Sequence, residues 1–185
     1  MTDRLQDHPD LVILAMDQMS LYFQATLTRV WSPMGQTPLV VVTPQRDHVH
    51  FYGALEVRNG RAIAVTASEQ TNEVTADFFR ILLMLFPTCP ILLLLDRAPW
   101  HRGPAINEVL AENSRLELVF FPPACPDLNP QEHVWAQTRA AISHHHSYRH
   151  FPALVTDFDT HLNETLFETN FMEKYALPIL YDNFD

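Results

Sequence analysis

This sequence predicts an α/β fold: a mixed sheet in which an antiparallel meander gives way to alternating strands and helices, with helices on both faces. Three observations predict it. Two fully apolar runs, Leu11-Val12-Ile13-Leu14-Ala15-Met16 and Ile91-Leu92-Leu93-Leu94-Leu95, read as central strands buried on both faces. Between them lie alternating segments that turn back at Asn59-Gly60, a two-residue hairpin signal. After Thr71 the apolar spacing changes to the helical one. A chain of 185 residues is long enough to bury a substantial core. With 47% apolar and 18% charged residues, a disordered chain is excluded.

Residues 1–10 are polar and are expected to form a disordered N-terminus. The first apolar run ends in an acid, Asp17. Residues 20–31 alternate loosely, and Trp31-Ser32-Pro33-Met34-Gly35 has the composition of a hairpin turn. Further strands are expected at 39–43 and 49–57, with 61–67 returning as partner across the Asn-Gly turn. Thr71-Asn72-Glu73 caps a helix that carries Val74, Phe78, Ile81, Leu82 and Leu85 at helical spacing and stops before Pro87. The second apolar run again ends in an acid, Asp96. A short helix from Pro104 to about Asn113, a strand at 116–121 and a helix from Pro130 to about Ser143 follow. Residues 151–175 suggest one more helix, with Leu154, Phe158, Leu162, Leu166 and Phe167 on one side. The chain thus divides into one domain, 11–150, and an acidic helical C-terminal extension, 151–185. A mixed sheet assembled in this order is the ribonuclease H-like fold.

Charge and composition narrow the function. The net charge is −10, against the basic footprint expected of a nucleic-acid protein. The imbalance is uneven: residues 151–185 hold seven acids and one Lys, whereas residues 1–150 hold fifteen acids and eleven Arg. Two bound divalent cations would bring the larger part near neutrality. No apolar run reaches the roughly 18 residues of a membrane span, and no basic leader precedes an apolar segment. Cys89 and Cys125 are far apart and form no metal-ligand pair, as in a cytoplasmic protein.

Asp17 and Asp96 share a local grammar, each closing an apolar strand and preceding polar residues. An acid at the end of a buried strand is costly unless it is paired or holds a metal. A third acid, Glu132, opens a helix after the proline-broken stretch Phe120-Phe121-Pro122-Pro123-Ala124-Cys125-Pro126-Asp127-Leu128-Asn129-Pro130. Asn129 suits the N-cap, Pro130 the first helical position, and Glu132 the position that closes a capping box. A cap is therefore one role for Glu132. If the strand ends bring Asp17 and Asp96 together, metal ligation is the other. Carboxylate oxygens suit Mg²⁺ or Mn²⁺, and three carboxylates can hold two such ions about 3.5–4 Å apart, clamping the attacking and leaving oxygens of a phosphodiester.

These acids and their surroundings resemble the Asp-Asp-Glu triad of the mariner-like transposases, specifically the bacterial insertion-sequence branch. The resemblance runs from Leu11 to about Ser143. It rests on Trp31-Ser32-Pro33-Met34-Gly35, Phe51-Tyr52-Gly53-Ala54-Leu55, Asp96-Arg97-Ala98-Pro99-Trp100-His101 and above all Pro126-Asp127-Leu128-Asn129-Pro130-Gln131-Glu132-His133-Val134-Trp135. Thirty-five residues separate Asp96 from Glu132, close to the family's spacing. The resemblance implies DNA strand cleavage and strand transfer by Asp17, Asp96 and Glu132 with two Mg²⁺ or Mn²⁺ ions, Asp17 bridging both. It also implies DNA partners (transposon ends and target), a homodimer or larger synaptic assembly, and a nucleoid-associated cytoplasmic location. His101 matches the family pattern and is expected to contact phosphate or orient Asp96. Arg97, Arg102, Arg139 and Arg149 are candidate phosphate contacts, Trp135 a core anchor, and Asn129 and Pro130 the residues that aim Glu132.

The sequence departs from the family pattern in places. Gln18 follows the first acid where Glu is usual, Arg97 follows the second where Asn is usual, and Arg139 lies where Lys is common. Arg97 is expected to be able to pair with Asp96. Full-length relatives carry an N-terminal helix-turn-helix region. The chain resembles a separate catalytic reading frame whose DNA-binding half is another polypeptide, or else a truncated copy. Two rival functions remain open at this level: an inactive or domesticated remnant serving as a binding module, and a host nuclease of the same fold. The run His144-His145-His146 with His150 reads as a frayed helix end, since consecutive helical positions cannot face one metal.

Overall fold

The computed structural model describes residues 10–24, 32–36, 47–123, 125–144 and 147–168, and in these the strands form one five-stranded sheet. Its centre is the pair of apolar runs. Strand β1 (Val12–Tyr22) lies parallel to a strand at Ile91–Leu95, with Val12 opposite Ile91 and Ala15 opposite Leu94. On its other side β1 pairs antiparallel with β2 (His48–Glu56), which pairs antiparallel with β3 (Ala62–Ala67). The Ile91–Leu95 strand is β4, and β5 (Leu116–Phe120) lies parallel at its outer edge. The order is β3-β2-β1-β4-β5.

Every side chain of β4 is buried because both faces are covered. Ile91, Leu93 and Leu95 join Leu14 and Met16 beneath α1 (Asn72–Leu85) and α2 (Pro104–Glu112), which contribute Phe78, Phe79, Leu82, Ile106 and Val109. Thr71 caps α1 by accepting from the Val74 amide. On the opposite face, α3 (Pro130–Thr138) and α4 (Phe151–Glu164) bring Val134, Trp135, Leu154, Phe158 and Leu162 onto Met19, Phe51 and Leu55. The period-2 alternation of β1 explains both layers, since Leu14 and Met16 face one way and Ala15 and Met19 the other.

Several expectations are corrected. Asp17 is not at a strand end: it sits inside β1, because the ladder with β2 continues to Tyr22 opposite His48 after β4 has stopped at Leu95. Backbone pairing, not side-chain hydrophobicity, keeps Asp17, Gln18 and Ser20 extended. The β2–β3 connection is a five-residue loop, 57–61, instead of a two-residue Asn-Gly turn. Gly60 is left-handed there (φ 76°), and a Cβ on it would collide with the Phe167 carbonyl. The Gly60 carbonyl accepts from Phe167 N (2.8 Å), so this loop is shaped by a distant segment. The helix from Pro130 is α-helical only to Thr138 and continues as a π-turn, Arg139–Ser143. The last helix ends at Glu164, which leaves Leu166 exposed outside it while Phe167 is buried. Residues 1–9 of the expected disordered segment 1–10, residues 25–31 and the strand expected at 39–43 lie outside the described residues, as do 169–185.

Candidate active site

The stretch from Phe121 to Trp135 builds one wall of the site. After β5 the prolines break the strand, a 3₁₀ turn (Pro126–Leu128) follows, and α3 opens on Asn129. Asn129 is buried and uses both ends of its amide: Oδ1 accepts from Gln131 N (3.1 Å) and Nδ2 donates to Met16 O (3.0 Å). The second bond ties the start of α3 to β1 at the residue before Asp17. Pro130 occupies the first turn, where its missing N–H costs nothing. The capping box is not closed, since Asn129 alone makes the side-chain cap among the described residues. Glu132 is exposed and lines the cleft.

Asp17 is reached from the other end of the same helix turn. Trp135, 1% exposed, donates Nε1–H to Asp17 Oδ2 at 3.0 Å. Gly53, paired with Asp17 across β1–β2, makes room for that indole. A Cβ on Gly53 would lie 2.6 Å from Gln131 Nε2 and 2.7 Å from Trp135 Cζ2, closer than real side chains come. Trp135 thus acts both as the expected core anchor and as a hydrogen-bond donor to the first acid. Burial, then the nearby Glu132 charge, raise the Asp17 carboxyl to about 7, with Asp96 adding to the rise; the Gln18 backbone N–H and the Trp135 side chain oppose it.

Asp96 follows β4 directly and is half exposed. Its Oδ1 accepts from Ala98 N (3.0 Å) and lies 2.8 Å from His101 Nδ1. The hydrogen bond from His101 holds this carboxyl below its ordinary range, against the effect of burial. His101 is 1% exposed, which removes it from direct phosphate contact and leaves the orienting role. Its other nitrogen, Nε2, is 3.0 Å from Gln18 Oε1, which also accepts from Trp100 Nε1 (2.8 Å). Arg97 does not pair with Asp96: its Nε donates to Phe121 O at 3.2 Å and its side chain lines the cleft. Arg102 lies over the Phe120 ring, 5.5 Å to the centroid, and borders a different groove, between α2 and β5. Arg139 sits in the π-turn and Arg149 is exposed ahead of α4; neither lines the cleft. His145 and His146 lie outside the described residues. Gln18, Gly53 and Trp100 were not singled out as site residues from sequence. The signals that could find them are that Gly53 and Trp100 lie inside family-like motifs and that Gln18 follows the first acid.

Asp17, Asp96 and Glu132 therefore line one cleft of about 380 Å³, with Arg97, Cys125 and Asn129 among its other walls. Among the described residues no three His, Cys, Asp or Glu side chains already converge as a closed ligand set. The donor chemistry nonetheless fits a hard divalent cation: every candidate ligand is a carboxylate, and their mutual repulsion is what raises Asp17 beyond burial alone. The sign of the resulting pH dependence follows. Asp17 ionises near 3.8 when unfolded and near 7 when folded, so between about pH 4 and 7 the folded state retains a proton that the unfolded chain has lost. Metal-free stability should therefore fall as pH rises through that window, by at most about 4 kcal/mol, and level off above it. Asp17→Asn should remove most of the fall, leaving the smaller part due to Asp159, which burial also raises; thermal melts of both proteins from pH 4 to 8 would show it. Parallel slopes for the two proteins would contradict the assignment.

A sheet in this order, with helices on both faces, has the ribonuclease H-like fold, and three acids line its cleft. Residues 12–155 match the DDE superfamily endonuclease family, and the chain belongs to it. The sequence is 21% identical over 163 residues to the insertion element IS630 uncharacterized 39 kDa protein of Shigella sonnei, covering 82% of this chain and 47% of that protein. The fold is similar to the Mos1 transposase paired-end complex with left transposon end (TM-score 0.67, 15% identity, 91% of this chain and 52% of that chain). It is also similar to the catalytic domain of Mos1 mariner transposase (TM-score 0.55, 12% identity, 88% and 82%). The chain spans about half the length of the curated relatives it matches. The expected ribonuclease H-like fold is thus met, and the expected DDE membership is met by the family match. No helix among the described residues is long and apolar enough to cross a membrane.

Proposed function

We propose that this domain is the catalytic part of a transposase that cuts DNA and transfers the cut strand, with Asp17, Asp96 and Glu132 holding two Mg²⁺ or Mn²⁺ ions. The observation that carries the proposal is the arrival of three carboxylates, from three separate chain segments, at one cleft. Bound there, the ions would activate a water or a DNA 3′-hydroxyl and stabilise the leaving oxygen. Asp17 is the residue proposed to serve both ions, with Asp96 and Glu132 each completing one side. Support comes from similarity to Mos1 paired-end complexes described as containing Mn and Mg.

The chain's own part is positioning. Trp135 holds Asp17 Oδ2 and so fixes how the carboxylate is presented to the cleft. Ala98 N and His101 engage Asp96 Oδ1, which directs Oδ2 outward. Asn129 ties the start of α3 to β1 and so fixes where Glu132 emerges. Exposed Arg97, beside the acids, is the best-placed phosphate contact, with Arg139 and Arg149 further off.

The DNA partners would be transposon ends and target. With a net charge of −10, recognition needs help from a helix-turn-helix polypeptide or domain, and synapsis from a dimer or larger assembly. A nucleoid-associated, cytoplasmic location follows from that role. The test is incubation with supercoiled plasmid and Mn²⁺, with a chelator control. Metal-dependent conversion to nicked circles is expected. Folded protein that gives none at any Mn²⁺ concentration, or that cuts only RNA–DNA hybrids, would overturn the proposal.

A further inference from the structure

Gln18 stands next to Asp17 in β1, so its side chain points to the opposite face of the sheet. There its Oε1 accepts from Trp100 Nε1 (2.8 Å) and meets His101 Nε2 (3.0 Å). An indole N–H is a donor only, so the atom facing Trp100 is the amide oxygen, and the orientation of Gln18 is fixed. The far side of the same imidazole reaches Asp96: Nδ1 is 2.8 Å from Oδ1 and 3.0 Å from the backbone carbonyl. The His101 side chain is fully buried and both ring nitrogens face oxygen acceptors, so both contacts are hydrogen bonds when each nitrogen carries a hydrogen. Gln18 Nε2, in contrast, is buried without a partner, so the amide is held through its oxygen alone.

We infer that Gln18 is a positioning residue for the metal-dependent reaction proposed above, on which this inference rests. It orients Asp96 through His101 and so couples the two acid-bearing strands. Trp100 fixes Gln18, Gln18 fixes the ring, and the ring takes up Asp96 Oδ1 so that Oδ2 is left to the cleft. Two acids that no direct bond joins are thereby set relative to each other through a buried relay on the reverse side of the sheet. Loss of a group one bond removed from a ligand, as His101 is from Asp96, typically changes metal affinity or activity about 10–100-fold, and Gln18 acts one bond further out, through that ring. Because only the oxygen is used, a carboxylate can replace the amide without losing a bond. Position 18 therefore accepts Glu but not an apolar side chain of the same size.

The experiment compares Gln18→Leu and Gln18→Glu in the plasmid-nicking assay across Mn²⁺ concentrations, after melts confirm that both fold. Gln18→Leu should lose up to about 10-fold in nicking rate, the low end of the direct-partner range, and need more Mn²⁺ for half-maximal rate. Gln18→Glu should stay within about threefold of wild type, a rescue that space-filling alone would not produce. If Gln18→Leu does not fold, Trp100→Phe releases the amide while keeping most of the packing, and should give a smaller loss with the same Mn²⁺ signature. A metal-free readout is independent of activity: the ¹⁵N signals of the His101 ring should move in Gln18→Leu although neither His101 nor Asp96 is changed. Folded Gln18→Leu with wild-type rate, Mn²⁺ dependence and ring signals would overturn the relay. Failure of wild type to nick would instead strike the proposed function and leave the relay to be judged on the ring signals.

Discussion

Asp96→Asn is expected to reduce Mn²⁺-dependent nicking to background, a loss on the order of 10³-fold, while leaving the protein folded. The asymmetry follows from how Asp96 is held. Its Oδ1 accepts from Ala98 N and meets His101, and an Asn side chain retains an oxygen for both contacts. Asp96 is also half exposed, and the oxygen that Asn keeps still faces the buried His101 ring. Stability should therefore change by no more than about 1.5 kcal/mol. What Asn lacks is the second anionic oxygen. A divalent ion is worth several kcal/mol to a phosphoryl transition state, and each 1.36 kcal/mol is a factor of ten in rate. Retained nicking by a folded Asp96→Asn protein would remove Asp96 from the site.

Gly53→Ala should have the largest effect on stability of any single methyl addition near the cleft. The new Cβ would sit 2.7 Å from Trp135 Cζ2 and 2.6 Å from Gln131 Nε2, both buried, so the indole must move. Overpacking of this kind costs about 1–3 kcal/mol, and displacing Trp135 also loses its hydrogen bond to the Asp17 carboxylate, about 1.5–3 kcal/mol. A combined loss of about 3 kcal/mol corresponds to roughly 6–12 °C in Tm for a chain of this size. Trp135→Phe has neither Cζ2 nor Cη2 at that place, so the added cost of Gly53→Ala should shrink in the Trp135→Phe background. Calorimetry on the four proteins of that cycle measures the coupling. Additive losses would show that Gly53 and Trp135 do not act on each other.

The comparison of sequence with structure has a physical pattern. β4 was legible because five consecutive apolar residues can only be a segment covered on both faces. α1 was legible from its Thr71 cap and its 3.6-residue spacing, and the start of α3 from Asn129-Pro130. The extent of β1 was not, because Asp17, Gln18 and Ser20 owe their extended backbone to β2, a partner that local hydrophobicity does not register. The loop at 57–61 was read as a two-residue turn because Asn59-Gly60 favours one. The contact of Gly60 with Phe167, and the bridge from Arg61 to Leu166, decided otherwise. Within the site, the three acids could be named from their motifs, whereas Gly53 and Gln18 could not. Each matters only through a side chain far along the chain, Trp135 for one and His101 for the other.

Every role proposed for the cleft requires that Asp17, Asp96 and Glu132 form a single divalent-cation site. Calorimetric titration of Mn²⁺ into the metal-free domain tests it most directly. Wild type should bind two ions and release protons, more at pH 6.5 than at pH 8, because the Asp17 carboxyl titrates near 7. Asp17→Asn should lose most of the binding and that proton release. Wild-type protein that binds no Mn²⁺, or an Asp17→Asn protein that binds it as wild type does, would contradict the claim.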